Sequence, residues 1–221
     1  GLKDKQSISR QWFSVQMNRN QAPVLDGLST ESIKLIAHRR HDKKLRVGAL
    51  AANHFAIRLR NVSDTSKLVE RLKWIKTSVV PNYFGIQRFG FKGNNLNWAN
   101  RMAQGESIRD KKIRGFALSA SRSFLFNEVV SERIKHKCFF TPLEGEVFLL
   151  AGSNSFFSQP LDDTLMQRLM TGDILLSAPL FGAGKLASSG AVLPMETKIA
   201  DAHPAWISLL EAHDLKQERR A

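Results

Sequence analysis

Apolar and polar residues alternate in three short stretches of the N-terminal part of the chain: Gln11 to Met17, Ile33 to Ala37 and Phe55 to Leu59. A period of two lines up alternate side chains on one face, so each stretch predicts a β-strand. The period then lengthens. Leu68, Leu72 and Ile75 recur at i, i+4 and i+7 behind Ser63 or Asp64, either of which can cap a helix N-terminus. Val80-Pro81 should stop that helix, because proline disfavours helical geometry in the residue before it. After Gly90 the pattern is mainly helical, over Asn95 to Gln104, Arg114 to Lys135, Leu161 to Met170 and Ala205 to Arg219. The second of these carries Leu118, Leu125, Val129 and Glu132 along one side, with Arg122, Glu128 and Arg133 elsewhere. Leu143 to Leu150 predicts a short strand entered from a turn, and Phe181 to Pro194 a Gly- and Ser-rich loop. β-rich sequence thus gives way to α-rich sequence at about Val79, which predicts an α+β chain divided into residues 1–78 and 79–221.

At that change lies Val80-Pro81-Asn82-Tyr83-Phe84-Gly85-Ile86-Gln87-Arg88-Phe89-Gly90. It sustains neither period, and its glycines and proline mark a shaped loop. Its aromatic faces, amides and guanidinium could stack on bases and fork onto phosphate. The same residues could equally plug a core at a junction, with glycines that only permit tight turns.

Charge narrows the partner. Across 221 residues, 33 Lys plus Arg stand against 20 Asp plus Glu, a net charge of +13. That balance favours a polyanion, nucleic acid above all. A membrane is not expected, since no apolar run approaches the roughly 20 residues a span needs. Cys138 is the only cysteine, which excludes an internal disulfide and suits a reducing, cytoplasmic setting. The chain opens without Met and with Lys3, Asp4 and Lys5 ahead of any apolar stretch, so no signal peptide is read and a fragment is expected.

Several clusters could carry chemistry. Between His38 and Arg46 lie Arg39, Arg40, His41, Lys43 and Lys44, interrupted only by Asp42 and Leu45. Such a patch reads as a solvated strand connection or a phosphate contact; no metal site is expected from its histidines, which have no acidic or sulfur partner of suitable spacing. Gly182-Ala183-Gly184-Lys185 lacks the remaining residues of a phosphate-binding loop, since Pro179 and Leu186 stand at its key positions. Asp4 between Lys3 and Lys5 should stay ionised and could act as a nucleophile, although charged triplets are more often solvated turns. In strand geometry Asn53 and Phe55 share a face, an amide beside a ring, which suits either a base or a turn next to a core.

Taken together, Gly1-Leu2-Lys3-Asp4-Lys5, Asn53-x-Phe55 and the run from Val80 to Gly90 resemble, in order and spacing, the motif series of the TruD family of tRNA pseudouridine synthases. The similarity extends through Arg109-Asp110-Lys111 and the Leu118 to Arg133 helix, and weakens after about Leu150. It implies part of a mixed-sheet pseudouridine-synthase catalytic domain over residues 1–78, followed by a mainly helical α/β inserted domain over 79–221. It also implies a cytoplasmic isomerase that converts a uridine of tRNA, at position 13, without a cofactor. By this resemblance Asp4 is the nucleophile toward a flipped-out nucleotide, at C1′ of the ribose or C6 of the base. Asn53 orients it and contacts the nucleotide, Phe55 stacks on the target base, and Lys3 helps to keep Asp4 ionised. Arg39, Arg40, Lys43, Lys44 and Arg88 are the expected contacts to tRNA. Family members carry further catalytic-domain sequence on both sides of this region, so the chain is expected to need the rest of the enzyme for turnover. The competing expectation is a non-catalytic RNA-binding module that uses the basic patch and aromatic loop for shape recognition.

Overall fold

Asp64 starts the first helix. Its Oδ1 accepts from the Lys67 backbone N–H at 3.0 Å and from Ser66 Oγ at 2.6 Å. One orphan donor of helix α1 (Thr65–Thr77) is thereby satisfied. The Ser66 hydroxyl foremost, then the Lys67 N–H, hold the Asp64 carboxyl below the usual carboxylate range. The computed structural model describes residues 7–18, 20, 27–46, 52–78 and 80–221. It divides into two compact units, Gly1–Leu68 and Val69–Ala221.

In the first unit the three stretches with period two do not form strands among the described residues. They run as unpaired chain with their apolar side chains in solvent; Phe13, Val15, Phe55 and Ile57 are each at least three-quarters exposed. Alternation supplies a face, but a strand also needs a neighbour's N–H and C=O groups, and an isolated hairpin is marginal at best. What order exists rests on scattered hydrogen bonds, both local and long-range. The Thr30 N–H donates to Ile33 O at 2.7 Å, and the Leu45 N–H donates to Ser14 Oγ at 3.2 Å.

The second unit is built around one long helix, α3 (Lys111–Lys135), preceded by α2 (Asn94–Ala103). Asp110 caps α3, its carboxylate accepting from the N–H groups of Lys112 and Ile113 at 2.7 and 3.1 Å. β1 (Phe148–Leu150), β2 (Phe156–Phe157) and β3 (Ile174–Leu176) form an antiparallel sheet in the order β2-β1-β3. Helix α4 (Asp163–Thr171) covers it through Leu165, which is buried with Phe148 and Ile174. β4 (Ala178–Leu180) pairs antiparallel with β5 (Glu218–Arg220), and α5 (Val192–Ala202) and α6 (Pro204–Ala212) lie between them in sequence. The main core joins Leu125, Phe126, Val129 and Val130 of α3 to Ala178, Phe181, Ile199 and Leu210. Small antiparallel sheets with helices packed on them make an α+β fold. Among the described residues no helix is long and apolar enough to cross a membrane.

Two expected boundaries shift for identifiable reasons. The helix expected over Ala205 to Arg219 ends at Ala212, where Asp214 takes a positive φ of 52° and the chain turns into β5. The loop expected over Phe181 to Pro194 gives way to α5 at Val192, since proline is tolerated in a first helical turn. Within that loop Gly182 lies so close to the neighbouring chain that a Cβ there would fall 2.1 Å from Leu215 O. Its carbonyl accepts from Gln217 Nε2 at 2.8 Å. Of the two glycines that imitate a phosphate loop, Gly182 serves chain packing, whereas Gly184 takes a positive φ of 103° with open space around it.

Charged residues hold the frame. Arg133 on α3, 4% exposed, grips Glu146 with a two-pronged contact at 2.8 and 3.1 Å. Arg219 on β5 grips Glu196 on α5 in the same way at 2.9 and 3.1 Å, and also donates to Ser177 O at 2.8 Å. Ser188 Oγ completes Glu196 at 2.6 Å. Glu132 is nearly buried on α3 and receives Lys198 Nζ of α5, with Lys135 Nζ at 3.6 Å. The Lys198 hydrogen bond foremost, then the charges of Lys198, His136 and Lys135, hold the Glu132 carboxyl below the ordinary glutamate value against the opposing effect of burial. A carboxyl lowered on folding stabilises the fold above its unfolded value, and that contribution is lost as pH falls through the folded value. The thermal midpoint of the native protein should therefore exceed that of Glu132→Gln at pH 6, and the gap should close as pH falls below about 4. A gap that stays constant down to pH 3 would remove Glu132 as a source of acid sensitivity.

Candidate nucleic-acid interface

Asp4 and Lys3, the expected nucleophile and its cationic neighbour, lie outside the described residues. Asn53 and Phe55 are both exposed, and the Phe55 ring is 77% accessible. Arg39, Arg40, Lys43 and Lys44 are exposed on the connection between Ile36 and Arg46. There His41 Nδ1 lies 3.1 Å from the Lys43 backbone N and 2.8 Å from its O, which closes a tight turn and splays the lysines outward. The first unit thus presents an amide, a ring and a set of cations to solvent, the groups that base and phosphate recognition require.

The loop from Val80 to Gly90 sits on α3 in the second unit. Asn127 of α3 clamps Phe84 reciprocally: the Phe84 N–H donates to Asn127 Oδ1 at 2.9 Å, and Asn127 Nδ2 donates to Phe84 O at 3.0 Å. This fixes the Phe84 ring edge-on to Phe126, with centroids 5.5 Å apart. Phe89 meets Phe124 edge-on at 6.3 Å, and Tyr83 Oη lies 3.1 Å from Ser131 Oγ. Asn82 reaches the far end of the chain, donating to Ala221 O at 2.6 Å and accepting from Arg220 Nη2 at 2.8 Å. A short 3₁₀ turn, Ile86–Phe89, then carries Arg88 back over the Phe84 ring at 5.2 Å, where Nη1 donates to Ser119 Oγ at 3.0 Å. Of the two readings left open by composition, packing accounts for Phe84 and Phe89. Ile86 and Phe91 remain outward, each more than four-fifths exposed.

Arg220 is the residue that sequence reasoning missed. It lies 4.1 Å from the Phe84 centroid and 5.6 Å from that of Phe126, so it shares a ring with Arg88. No sequence signal marks it, because a terminal Arg219-Arg220 pair reads as the polar end of a helix. Arg122, close by on α3, has a different role. It donates to Phe181 O and Leu180 O at 2.8 Å and to Lys216 O, and pairs with Glu218 at 2.9 Å, tying α3 to both strands of the small sheet.

Comparison with known proteins points to one family. Residues 1–109 match the model of the family described as tRNA pseudouridine synthase D (TruD). The whole chain is 45% identical to tRNA pseudouridine synthase D of Pseudoalteromonas atlantica, of which it covers 65%. It is 42% identical to the protein of that name from Aeromonas salmonicida, covering 63%, and 40% identical to that of Colwellia psychrerythraea, covering 60%. Along its whole length the chain is similar to proteins of the TruD family. A crystal structure from Methanosarcina mazei bearing the TruD name is similar over 73% of this chain and 57% of its own, with a TM-score of 0.52 at 16% identity. That likeness supports the fold of this chain. The chain spans less than two-thirds of the length of the curated TruD relatives named above.

Proposed function

We propose that this chain is part of a tRNA pseudouridine synthase that isomerises a uridine of tRNA, at position 13, through Asp4. The observation that carries this reading is 45% identity, over the entire chain, to a protein named for that activity. The reaction is an internal transfer. The bond between N1 of uracil and C1′ of ribose breaks, the base turns, and C1′ joins C5. The proton on C5 is lost and N1 ends protonated, so no redox partner or outside group is consumed. Asp4, flanked by Lys3 and Lys5, supplies the negative charge that opens the bond by adding at C1′ or C6. A uridine in a folded tRNA must first leave its stack, and Phe55 offers it a replacement face while Asn53 meets its polar edge. The exposed Arg39, Arg40, Lys43 and Lys44 serve the phosphates around it.

The chain works within a longer polypeptide. Apolar side chains of the first unit that stand in solvent, Phe13, Val15 and Ile57 among them, have the character of a sheet face waiting for cover. The test compares two proteins on an unmodified tRNA transcript: residues 1–221, and a version extended on both sides to the length of its relatives. Pseudouridine should form with the extended protein and not with residues 1–221. Formation by residues 1–221 alone would overturn the need for further sequence. Failure of the extended protein on every tRNA tried would overturn the activity.

A further inference from the structure

Two guanidinium groups share one aromatic ring in the second unit, and neither has an acid. Arg88 and Arg220 stand 5.2 and 4.1 Å from the Phe84 centroid. Among the described residues neither is within ion-pair distance of a carboxylate, whereas Arg101, Arg122, Arg133, Arg168 and Arg219 each have one. Their own bonds hold them without neutralising them: Arg88 Nη1 to Ser119 Oγ, and Arg220 Nη2 to Asn82 Oδ1. Burial foremost, and then the charge of Arg88, pull the Arg220 guanidinium below the ordinary arginine value, so the two charges repel. Arg220 Nε is buried without a hydrogen-bond partner, a second cost of keeping the side chain there. Like charges held together at such cost, with the remaining donors on Arg88 and on Arg220 Nη1 unpaired among the described residues, match the demand of a doubly accepting oxyanion. The planar fork of arginine pairs bidentately with phosphate, and a phosphate has enough oxygens to accept from two forks at once.

We propose that Arg88 and Arg220, gathered on the ring of Phe84, form a binding site for one backbone phosphate of the RNA substrate. The identity of that anion rests on the function proposed above; the site itself rests on the geometry. Phe84 acts as the platform that fixes both guanidinium planes, and the Asn127 clamp fixes Phe84 in turn. Position 88 lies in the recognisable loop, whereas position 220 lies at the far end of the second unit. The site therefore forms only where β5 closes beside that loop.

The experiment measures tRNA affinity of the extended protein across a series of salt concentrations, for the native sequence, Arg88→Gln, Arg220→Gln and the double variant. Each single change should weaken binding about tenfold near physiological salt, as expected for loss of a charged hydrogen bond. Each should also lower the slope of log affinity against log salt by about 0.7 to 0.9, one phosphate's worth. The double variant should lose little more than either single one, because both serve the same phosphate. Affinity and slope unchanged in Arg88→Gln would overturn the proposal, and that exposed residue decides the matter even if Arg220→Gln fails to fold. A loss of thermal stability in both variants with tRNA affinity intact would also overturn it, in favour of a carboxylate from elsewhere in the protein. The binding measurement is independent of turnover. A native protein that forms no pseudouridine while the variants lose affinity refutes the activity and keeps the phosphate site.

Discussion

Asp4→Asn in the extended protein is expected to remove pseudouridine formation, by at least about 10⁴-fold, the scale seen when a nucleophile is deleted. Asparagine keeps the size and most hydrogen-bonding capacity of aspartate but cannot add to carbon as an anion. Affinity for tRNA should change by less than about threefold, because phosphate contacts dominate binding of this class. The pair of readouts separates the two original expectations. A catalytic protein loses product and keeps binding, whereas an RNA-binding module makes no product before or after the change. Turnover that survives Asp4→Asn would take Asp4 out of the chemistry.

The second large effect concerns stability. Arg219→Leu leaves Glu196, 1% exposed, with Ser188 as its remaining side-chain partner. Breaking a buried pair from one side costs about 3 to 5 kcal/mol, since the abandoned charge has no solvent. In a chain of this size that should lower the thermal midpoint by roughly 6 to 20 °C. Replacing both partners, as in Arg219→Leu with Glu196→Met, should recover most of the loss, because the desolvation of two ions disappears with them. A single variant within about 2 °C of the native protein would mean that the pair is solvated in solution.

The contrast between Asp64 and Arg219 shows what the sequence makes legible. Local signals read well. Asp64 caps α1 at one of the two positions expected, and α2, α3 and α4 follow apolar recurrence to within a few residues, although Asp110 caps α3 so that it starts at Lys111, ahead of the expected Arg114. A cap is decided by residues three or four positions away, so the sequence holds all of it. Long-range partners do not read at all. Arg133 patterns as a solvated charge on the polar side of α3, yet Glu146 draws it inside. Arg219 patterns as a helix end, and its fate depends on Glu196 and Ser177. Glu132 is the opposite case, grouped with apolar residues by spacing and indeed nearly buried, its charge met by Lys198 of another helix. The strands of the first unit fail for the same reason in reverse: Phe55 to Leu59 carries the right alternation but has, among the described residues, no neighbour that would make it a strand. For the site, the motif positions Asp4, Asn53, Phe55 and Arg88 were readable as a series, and Arg220 was not, because nothing local distinguishes it.

The bonds from Asn82 to Arg220 and Ala221 join positions about as far apart in sequence as the second unit allows. A growing polypeptide emerges from the ribosome N-terminus first, so the loop of Val80 to Gly90 reaches the tunnel exit long before β5. Helix α3 can form as it appears, but β4 must wait with its edge unpaired, and Phe84 must wait for its second guanidinium. Closure of this unit therefore waits until β5 has emerged, and until then its unpaired edge and open core are exposed to chaperones and to aggregation.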